Sequence, residues 1–196
     1  MKKKEKLSVD IPTIEEIENE QKRLRHRAVY QRTLRGTIAV LLVVAAISVL
    51  VATLWMPVLQ IYGSSMSPTL EAGQIVVSGK TNQLKTGEVV AFWQGNKLLV
   101  KRVIAGPGQW VDIDMDGNVT VDGKELTEDY LDVKALGNCD VELPHQVEES
   151  RWFLMGDNRD VSVDSRSAAI GDVSKDQIEG KIVFRIWPLK EFGSIQ

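Results

Sequence analysis

The chain has 196 residues, of which 43% are hydrophobic and 26% are charged, so a packed core of ordinary size is possible. Its formal net charge of −3 is divided unevenly. Residues 1–35 carry ten Lys and Arg against six Asp and Glu, and the rest of the chain is acidic. An acidic body argues against nucleic acid as its main partner. Cys139 is the only cysteine, which excludes an intramolecular disulfide.

The first predicted element is a helix over residues 13–35, within the basic N-terminal segment 1–35. Thr13 and Glu16 form a capping-box pattern, and acidic residues come early in this stretch while basic residues come late. The late basic residues suit either a solvated helix or the binding of anionic lipid head groups. Both interpretations stay open at this point.

An apolar run without a charged residue follows, IAVLLVVAAISVLVATLWMPV, at residues 38–58. At about 1.5 Å per residue, it is long enough to cross the roughly 30 Å hydrocarbon core of a bilayer. One alternative is a buried helix, but a chain this small cannot surround such a helix on all sides. Another is a cleaved signal peptide, but the preceding segment and the run are both too long for one. We therefore predict an uncleaved transmembrane anchor over residues 36–58.

The charges on the two sides of the run predict its orientation. Residues 21–35 hold six Lys and Arg, whereas residues 59–79 hold none. The positive-inside rule then places the N-terminus in the cytoplasm and residues 59–196 outside it. The sequence thus predicts a single-pass protein of the cell membrane with an extracytoplasmic body.

Beyond Tyr62 the hydrophobic period changes from 3.6 to 2, which indicates strands. Short runs rich in β-branched and aromatic residues are separated by Gly and Asn-Gly or Asp-Gly turn signals. The runs are QIVVS, EVVAFW, KLLVKRVIA, WVDIDM, NVTVD, RWFLM and KIVFRIW. The clearest hairpin turns at Asp116-Gly117. We predict a mainly β protein, with a compact antiparallel all-β domain over residues 59–196.

Residues 124–150 differ from the predicted strands. They are acidic and irregular, with little apolar periodicity. Such a composition is typical of a long excursion across the surface.

Three stretches of the body are unusually polar. They are GSSMSPTL at residues 63–70, KRVIAGPG at 101–108 and GDNRDVSVDSR at 156–166. The first alone is typical of a Ser- and Pro-rich loop. The third fits either a turn with weak surface ion pairs or a buried, fully paired network.

A serine in the first stretch needs a base before its hydroxyl can act as a nucleophile. His26 lies on the predicted cytoplasmic side, and His145 lies in the irregular segment, where a surface imidazole is expected. Lys101 remains, provided that burial lowers its pKa from about 10.4. The alternation of the strand leaves open whether Lys101 is buried or faces water. The sequence contains no His, Cys and Glu cluster with metal-ligand spacing, so we predict no metal site.

Together the three stretches resemble the signatures of bacterial type I signal peptidases, the membrane-bound serine proteases that remove signal peptides from exported proteins. Those signatures look like a Ser-Met-x-Pro-Thr box, a Lys-Arg box followed by Pro-Gly, and Gly-Asp-Asn-Arg-x-x-Ser-x-Asp-Ser-Arg. Residues 156–166 match the last box at every fixed position. The resemblance covers the anchor and essentially all of residues 59–188. It implies an all-β fold, no cofactor, and secreted preproteins as substrates.

The resemblance also implies roles for individual residues. Ser65 would be the nucleophile and Lys101 the general base, and the backbone N–H of Ser65 would contribute to the oxyanion hole. Ser162 would hydrogen-bond the Lys101 amine and hold it toward Ser65. The supporting ion pairs would be Asp157 with Arg102 and Asp164 with Arg166.

The family further implies how a substrate binds. A signal peptide would lie extended beside an exposed strand and be cut after small residues, as at Ala-x-Ala sites. The active-site face would rest against the membrane, where the stretches WMPVLQIY and SMSP would form a lipid-facing rim. Packing of the same residues in the core is the alternative.

Three residues depart from the family pattern. Gly63 stands where many members have a serine whose hydroxyl adds to the oxyanion hole, so we infer a hole of backbone donors. Ala105 and Gln109 stand where a Gly-x-Pro-Gly-Asp turn usually has a glycine and an acid. These two changes put the geometry of that turn in doubt. They do not affect Ser65 and Lys101, the pair that we call the dyad.

Two other classes of protein remain as alternatives. One is a membrane-anchored β-domain that binds or assembles surface proteins without catalysis. The joint presence of Ser65, Lys101, Ser162 and Asp164 argues against it. The other is a self-cleaving Ser/Lys repressor relative, which would carry a DNA-binding domain in place of the apolar span. The sequence leaves open the oligomeric state and the choice between a housekeeping and a specialised peptidase.

Overall fold

The computed structural model describes residues 13–81 and 83–195, without the side chains of residues 51–55. The first twelve residues of the predicted basic segment therefore lie outside the described residues. The chain divides into two compact units between Leu50 and Val51.

One helix, α1 (Ile14–Trp55), contains 42 residues. Its start has the predicted capping box, because the Thr13 N–H donates to the Glu16 carboxylate at 2.9 Å and the Glu16 N–H donates to Thr13 Oγ1 at 3.4 Å. The sequence predicted a helix over residues 13–35 and a separate anchor after it. The structure joins them into one helix that is long and apolar enough to cross a membrane.

Within the described residues, twelve strands follow the helix, and every pairing between them is antiparallel. The first six are β1 (Val58–Gln60), β2 (Ile75–Gly79), β3 (Val89–Gln94), β4 (Lys97–Ala105), β5 (Trp110–Ile113) and β6 (Val119–Val121). The others are β7 (Lys124–Glu125), β8 (His145–Gln146), β9 (Arg151–Met155), β10 (Val173–Ser174), β11 (Ile178–Trp187) and β12 (Gly193–Ser194). Two short 3-10 helices lie at Lys175–Gln177 and Leu189–Glu191.

The strands form two sheets. The larger sheet has the order β1-β2-β11-β3-β4-β9-β10, with β12 paired to β11, and the smaller has the order β7-β6-β5-β8. All seven predicted runs are strands, and the predicted hairpin places Ile113 opposite Val119. The mainly antiparallel β fold is therefore confirmed.

The sequence missed β1 and the two-residue strands. Val58, which the sequence assigned to the anchor, is the first residue of β1 and lies opposite Val77 of β2. The strand escaped notice because its apolar residues continue the apolar run of the helix, so the hydrophobic period does not mark the change. The two-residue strands are too short to show any period.

The larger sheet is covered on both faces. Val89 and Ala91 of β3 pack in one cluster of buried residues. Val90 and Phe92 alternate with them and pack in another cluster. A third cluster joins the two sheets, because it contains Phe153 of β9 together with residues of β5 and β6.

Truncation of the side chain that joins the sheets should destabilise the fold. Phe153 is fully buried, so Phe153→Ala leaves a cavity, and we expect a loss of about 3–5 kcal/mol in the free energy of unfolding. The measurement is denaturant unfolding of the full chain in detergent. Met115→Ala, at an 85% exposed position, is the control and should change stability by less than about 0.5 kcal/mol. Equal effects of the two changes would contradict this core assignment.

Candidate active site

The serine-rich stretch forms a tight turn that is fixed to the core. The Ser67 N–H donates to the Ser64 carbonyl at 3.1 Å, and the Leu70 N–H donates to the Met66 carbonyl at 2.8 Å. Met66 and Leu70 are buried in the same cluster as Val89. This packing holds Ser65 half-buried at the surface of the domain.

Lys101 approaches Ser65 from β4, where it lies opposite Val90 of β3. Its side chain is only 3% exposed, so the lysine is buried and does not face water. The Lys101 Nζ lies 2.6 Å from Ser65 Oγ, which is hydrogen-bonding distance. The structure thus places an amine directly on the serine hydroxyl.

Burial changes the acidity of this amine. It lowers the pKa of Lys101 from 10.5 to about 8, because the charged form loses hydration; Asp164 and Asp157 oppose the shift, and Arg166 adds to it. About one lysine in ten is then neutral at pH 7, roughly 300-fold more than at the unshifted pKa. A neutral amine at this distance is able to take the Ser65 proton.

Arg102, the next residue of β4, is paired with Asp157. The Arg102 guanidinium donates two hydrogen bonds to the Asp157 carboxylate, at 2.9 and 2.7 Å, and both side chains are buried. The same guanidinium also donates to the Gly87 carbonyl and to Thr69 Oγ1. Asp157 thus ties the turn after β9 to the strand that carries Lys101.

A second buried ion pair lies within residues 156–166. Arg166 donates to the Asp164 carboxylate at 2.9 and 2.8 Å, and the backbone N–H of Gly156 donates to the same carboxylate at 2.9 Å. Burial raises the pKa of the Asp164 carboxyl, but the bonds and charge of Arg166 outweigh this and hold the pKa below its usual value. The stretch is therefore a buried, paired network and not a set of surface ion pairs.

Ser162 does not make the contact that the family resemblance implied. Its hydroxyl is buried and has no hydrogen bond to any described group, so the expected bond to the Lys101 amine is not formed. Ser162 also helps to hold the pKa of the Asp164 carboxyl below its usual value. It packs over Gly156, where an added Cβ would overlap Ser162 Oγ and lie 2.5 Å from the Ser65 carbonyl oxygen.

Gly156 therefore allows the turn after β9 to approach Ser65. In the same turn, the Asn158 N–H donates to the Ser65 carbonyl at 3.0 Å. This bond fixes the peptide that follows Ser65. The structure thus brings together Ser65, Lys101 and the two ion pairs.

A cleft of about 90 Å³ lies beside the dyad. It is lined by residues 60–63 on one side and by residues 98–101 of β4 on the other, with Ser65 and Met66 between them. Gly63, in this lining, has a φ of 83°, a left-handed conformation that strains other residues. The backbone conformation at this position thus favours glycine.

Gln109 closes the turn that contains Ala105 and Gln109, the two other residues that depart from the family pattern. The Gly106 N–H donates to Gln109 Oε1 at 2.8 Å, and Gln109 Nε2 donates to the Asp122 carboxylate at 2.8 Å. Ala105 is fully buried in the cluster that joins the sheets. Gln109 thus supplies the acceptor that an acid would otherwise provide, and its amide adds a bond to Asp122.

The sequence missed two residues beneath the site, Glu128 and Tyr130, in the segment assigned to the surface. Glu128 is only 5% exposed and pairs with the buried Arg159. The Tyr130 ring lies against Arg102, with 3.9 Å from the guanidinium carbon to the ring centroid. No signal in the sequence pointed to Glu128, because Asp160 lies directly beside Arg159 as a candidate partner.

His145 interacts with Asp172 and Phe153. Its Nε2 lies 3.0 Å from the Asp172 carboxylate, and its ring packs on Phe153. Among the described residues, no group of three or more His, Cys, Asp or Glu is arranged to hold a metal ion. The titratable side chain that the structure places on Ser65 is Lys101.

Comparison with known proteins gives concordant results. The profile of the family described as "Signal peptidase, peptidase S26" matches residues 34–187. Signal peptidase IB of Staphylococcus aureus (strain COL) is 39% identical over 153 residues, covering 67% of this chain and 78% of that protein. Signal peptidase I T of Bacillus subtilis (strain 168) is 35% identical over 142 residues, covering 66% and 72%.

A crystal structure of a signal peptidase I from Enterococcus faecalis V583 superposes with a TM-score of 0.42 at 26% identity, covering 51% of this chain and 97% of that one. The sequence matches decide the assignment, because the profile spans most of the chain and the relatives align over most of their own length. The chain therefore belongs to the signal peptidase family, peptidase S26, a family of serine endopeptidases.

Proposed function

We propose that this chain cleaves signal peptides from secreted preproteins through a Ser65/Lys101 dyad, after small residues as at Ala-x-Ala sites. The observation that carries the proposal is the 2.6 Å approach of the buried Lys101 amine to Ser65 Oγ. A lysine this deeply buried needs a reason, because burial of a charged amine is costly unless the amine is neutral or paired. Use as a general base supplies that reason.

The reaction divides into two steps. Neutral Lys101 accepts the Ser65 proton while Ser65 Oγ attacks the scissile carbonyl carbon, and the resulting oxyanion is stabilised by the Ser65 N–H. The protonated amine then gives its proton to the leaving nitrogen, which frees the mature protein and leaves an acyl ester on Ser65. Lys101 next accepts a proton from water as the water attacks the ester, and it returns that proton to Ser65 Oγ as the ester bond breaks. The signal peptide leaves as a carboxylic acid, which ionises in water.

The cleft beside the dyad supports a preference for small residues. A volume of about 90 Å³ accommodates an alanine side chain and is small compared with ordinary ligand pockets. Strand β4 pairs with β9 only from Arg102 onward, so the preceding residues 98–101 line the cleft beside that pairing. An extended peptide lying there would present alternate side chains to the cleft, as in β-augmentation.

The geometry favours catalysis over the alternative of a binding module. A binding module needs neither a lysine with a lowered pKa nor a direct contact from that lysine to a serine hydroxyl. A self-cleaving repressor is disfavoured because a long apolar helix occupies the place of a DNA-binding domain.

Removal of either member of the dyad should abolish cleavage. We expect Ser65→Ala and Lys101→Ala each to lower kcat by at least about 1,000-fold, because each removes a group that the chemistry requires. The measurement is cleavage of a preprotein with an Ala-x-Ala site, in detergent plus lipid, with the cut located by mass spectrometry. Matched controls are Ser64→Ala and Lys97→Ala, which change exposed neighbours in the same turn and strand.

The outcomes of this assay separate the alternatives. The proposal is supported if both dyad variants are inactive while the control variants are folded and active. Failure of the wild-type chain on several preproteins would favour the binding module. Residual activity of Lys101→Ala at the wild-type level would show that another group is the base, and His145 would then be tested.

We also propose that α1 anchors the chain in the cell membrane with the N-terminus in the cytoplasm. The Lys and Arg residues before the apolar run support this orientation. Exposed apolar side chains of the body support contact with lipid; they include Val58, Tyr62, Phe184, Trp187, Leu189 and Phe192. The predicted rim is partly core, because Ile61 and Met66 are buried.

The orientation is testable with single cysteines in a Cys139→Ser background. Met115→Cys lies in the body and Glu18→Cys lies in the N-terminal half of α1, and both positions are exposed. A membrane-impermeant maleimide added to intact cells should label the cysteine at 115, and should label the cysteine at 18 only after lysis. The reverse pattern would contradict the proposed orientation.

A further inference from the structure

Two residues of the segment between β7 and β8 stand out because they are polar and lie beneath the active site. Glu128 is 5% exposed, although glutamate is rarely buried unless it is paired. Tyr130 is two residues further along and donates its hydroxyl to Glu128 Oε1 at 2.7 Å. The proposed chemical steps use neither residue.

Glu128 holds Arg159 in place. The Arg159 guanidinium donates to both carboxylate oxygens of Glu128, at 2.5 and 3.2 Å, and its side chain is 1% exposed. Such a two-bond pair between an arginine and a carboxylate fixes direction as well as distance. Arg159 therefore has one defined orientation as long as Glu128 is present.

Arg159 in turn fixes the turn that contacts the nucleophile. Its Nε donates to the Gly156 carbonyl at 3.1 Å, across the turn that contains Asn158. The Asn158 N–H donates to the Ser65 carbonyl at 3.0 Å. One continuous path of contacts thus leads from Glu128 to the backbone of Ser65.

Tyr130 is linked through Arg102 to the strand that carries Lys101, the other member of the dyad. Its ring lies against the Arg102 guanidinium, at 3.9 Å from carbon to centroid, within the range of a cation–π contact. Arg102 follows Lys101 directly in β4 and is bonded to Asp157. A second path therefore leads from Tyr130 to the strand that carries Lys101.

We propose that Glu128 and Tyr130 are positioning residues for the dyad: they fix Arg159 and Arg102, and through them the relative placement of Ser65 and Lys101. This role rests on the proposed function of the dyad. We call the four residues Glu128, Tyr130, Arg159 and Arg102 the positioning network. The network matters because proton transfer needs the short Nζ–Oγ distance, and a misplacement of about 1 Å lowers the rate by about 100-fold.

Three substitutions distinguish the contributions of the individual contacts of Glu128 and Tyr130. Tyr130→Phe keeps the ring over Arg102 and removes the hydroxyl, whereas Tyr130→Leu removes the ring as well. Glu128→Gln keeps the size of the side chain and removes its charge. Glu125→Gln is the matched control, because Glu125 lies in the same region and its side chain is 66% exposed.

The first readout is steady-state cleavage by the full chain, below the melting temperature of every variant. We expect Tyr130→Leu and Glu128→Gln to lower kcat by about 10- to 100-fold. KM should change little, because the cleft lined by residues 60–63 and 98–101 does not include the two substituted residues. Tyr130→Phe should keep most of the activity that Tyr130→Leu loses, and Glu125→Gln should match the wild type.

The second readout does not depend on activity. Amide hydrogen exchange at Asn158 reports the bond to the Ser65 carbonyl, so exchange there should accelerate in Tyr130→Leu and Glu128→Gln. Exchange in β6 of the smaller sheet should stay unchanged. This readout remains informative if the wild-type chain fails to cleave preproteins, in which case the proposed function fails and the positioning network is still tested.

Two results would overturn the inference. One is wild-type kcat together with wild-type exchange at Asn158 in both Tyr130→Leu and Glu128→Gln. The other is a loss of activity that follows the loss of folded protein, with kcat per folded molecule unchanged, since that pattern belongs to a purely structural role. If Tyr130→Leu does not fold, Tyr130→Phe and Glu128→Gln decide the outcome by the same criteria.

Discussion

Burial of the Lys101 amine beside Ser65 Oγ is the constraint on which the arrangement of the site depends. A lysine in water is almost fully protonated at neutral pH and is useless as a base. Enclosure by the sheet and the serine turn leaves the amine 3% exposed and lowers its pKa to about 8. The contacts that pack the core around Lys101 are therefore the same contacts that lower the pKa of its amine.

Charged side chains near Lys101 also affect the pKa of its amine. Asp164 and Asp157 raise the pKa of the amine and Arg166 lowers it, but burial outweighs these charges, and each carboxylate is paired with an arginine. The pairs also hold the turn after β9 in contact with Ser65 and with β4. Breaking a buried pair by removal of one partner costs about 3–5 kcal/mol, which makes this part of the fold intolerant of change.

The sequence predicted the strands because their period of 2 is strong, and it predicted the dyad because three polar boxes match one family. Two features escaped it for physical reasons. Alternation along β4 did not decide whether Lys101 faces the core, since that depends on how the serine turn packs over the strand. Arg159 has Asp160 beside it in the sequence and several acids in the segment 124–150, and only the fold selects Glu128 as its partner. The Ser162 contact, taken from the family, is not formed in this structure.

The most direct test of the account is the titration of the Lys101 amine itself. The probe is ¹³Cε-labelled lysine in the full chain, with the signal assigned by its loss in Lys101→Arg. We predict a midpoint near pH 8, because burial lowers the pKa, so the neutral base accumulates as the pH rises through that value. A Lys101 midpoint near 10.5 would contradict the account, since the amine would then be charged whenever the enzyme works.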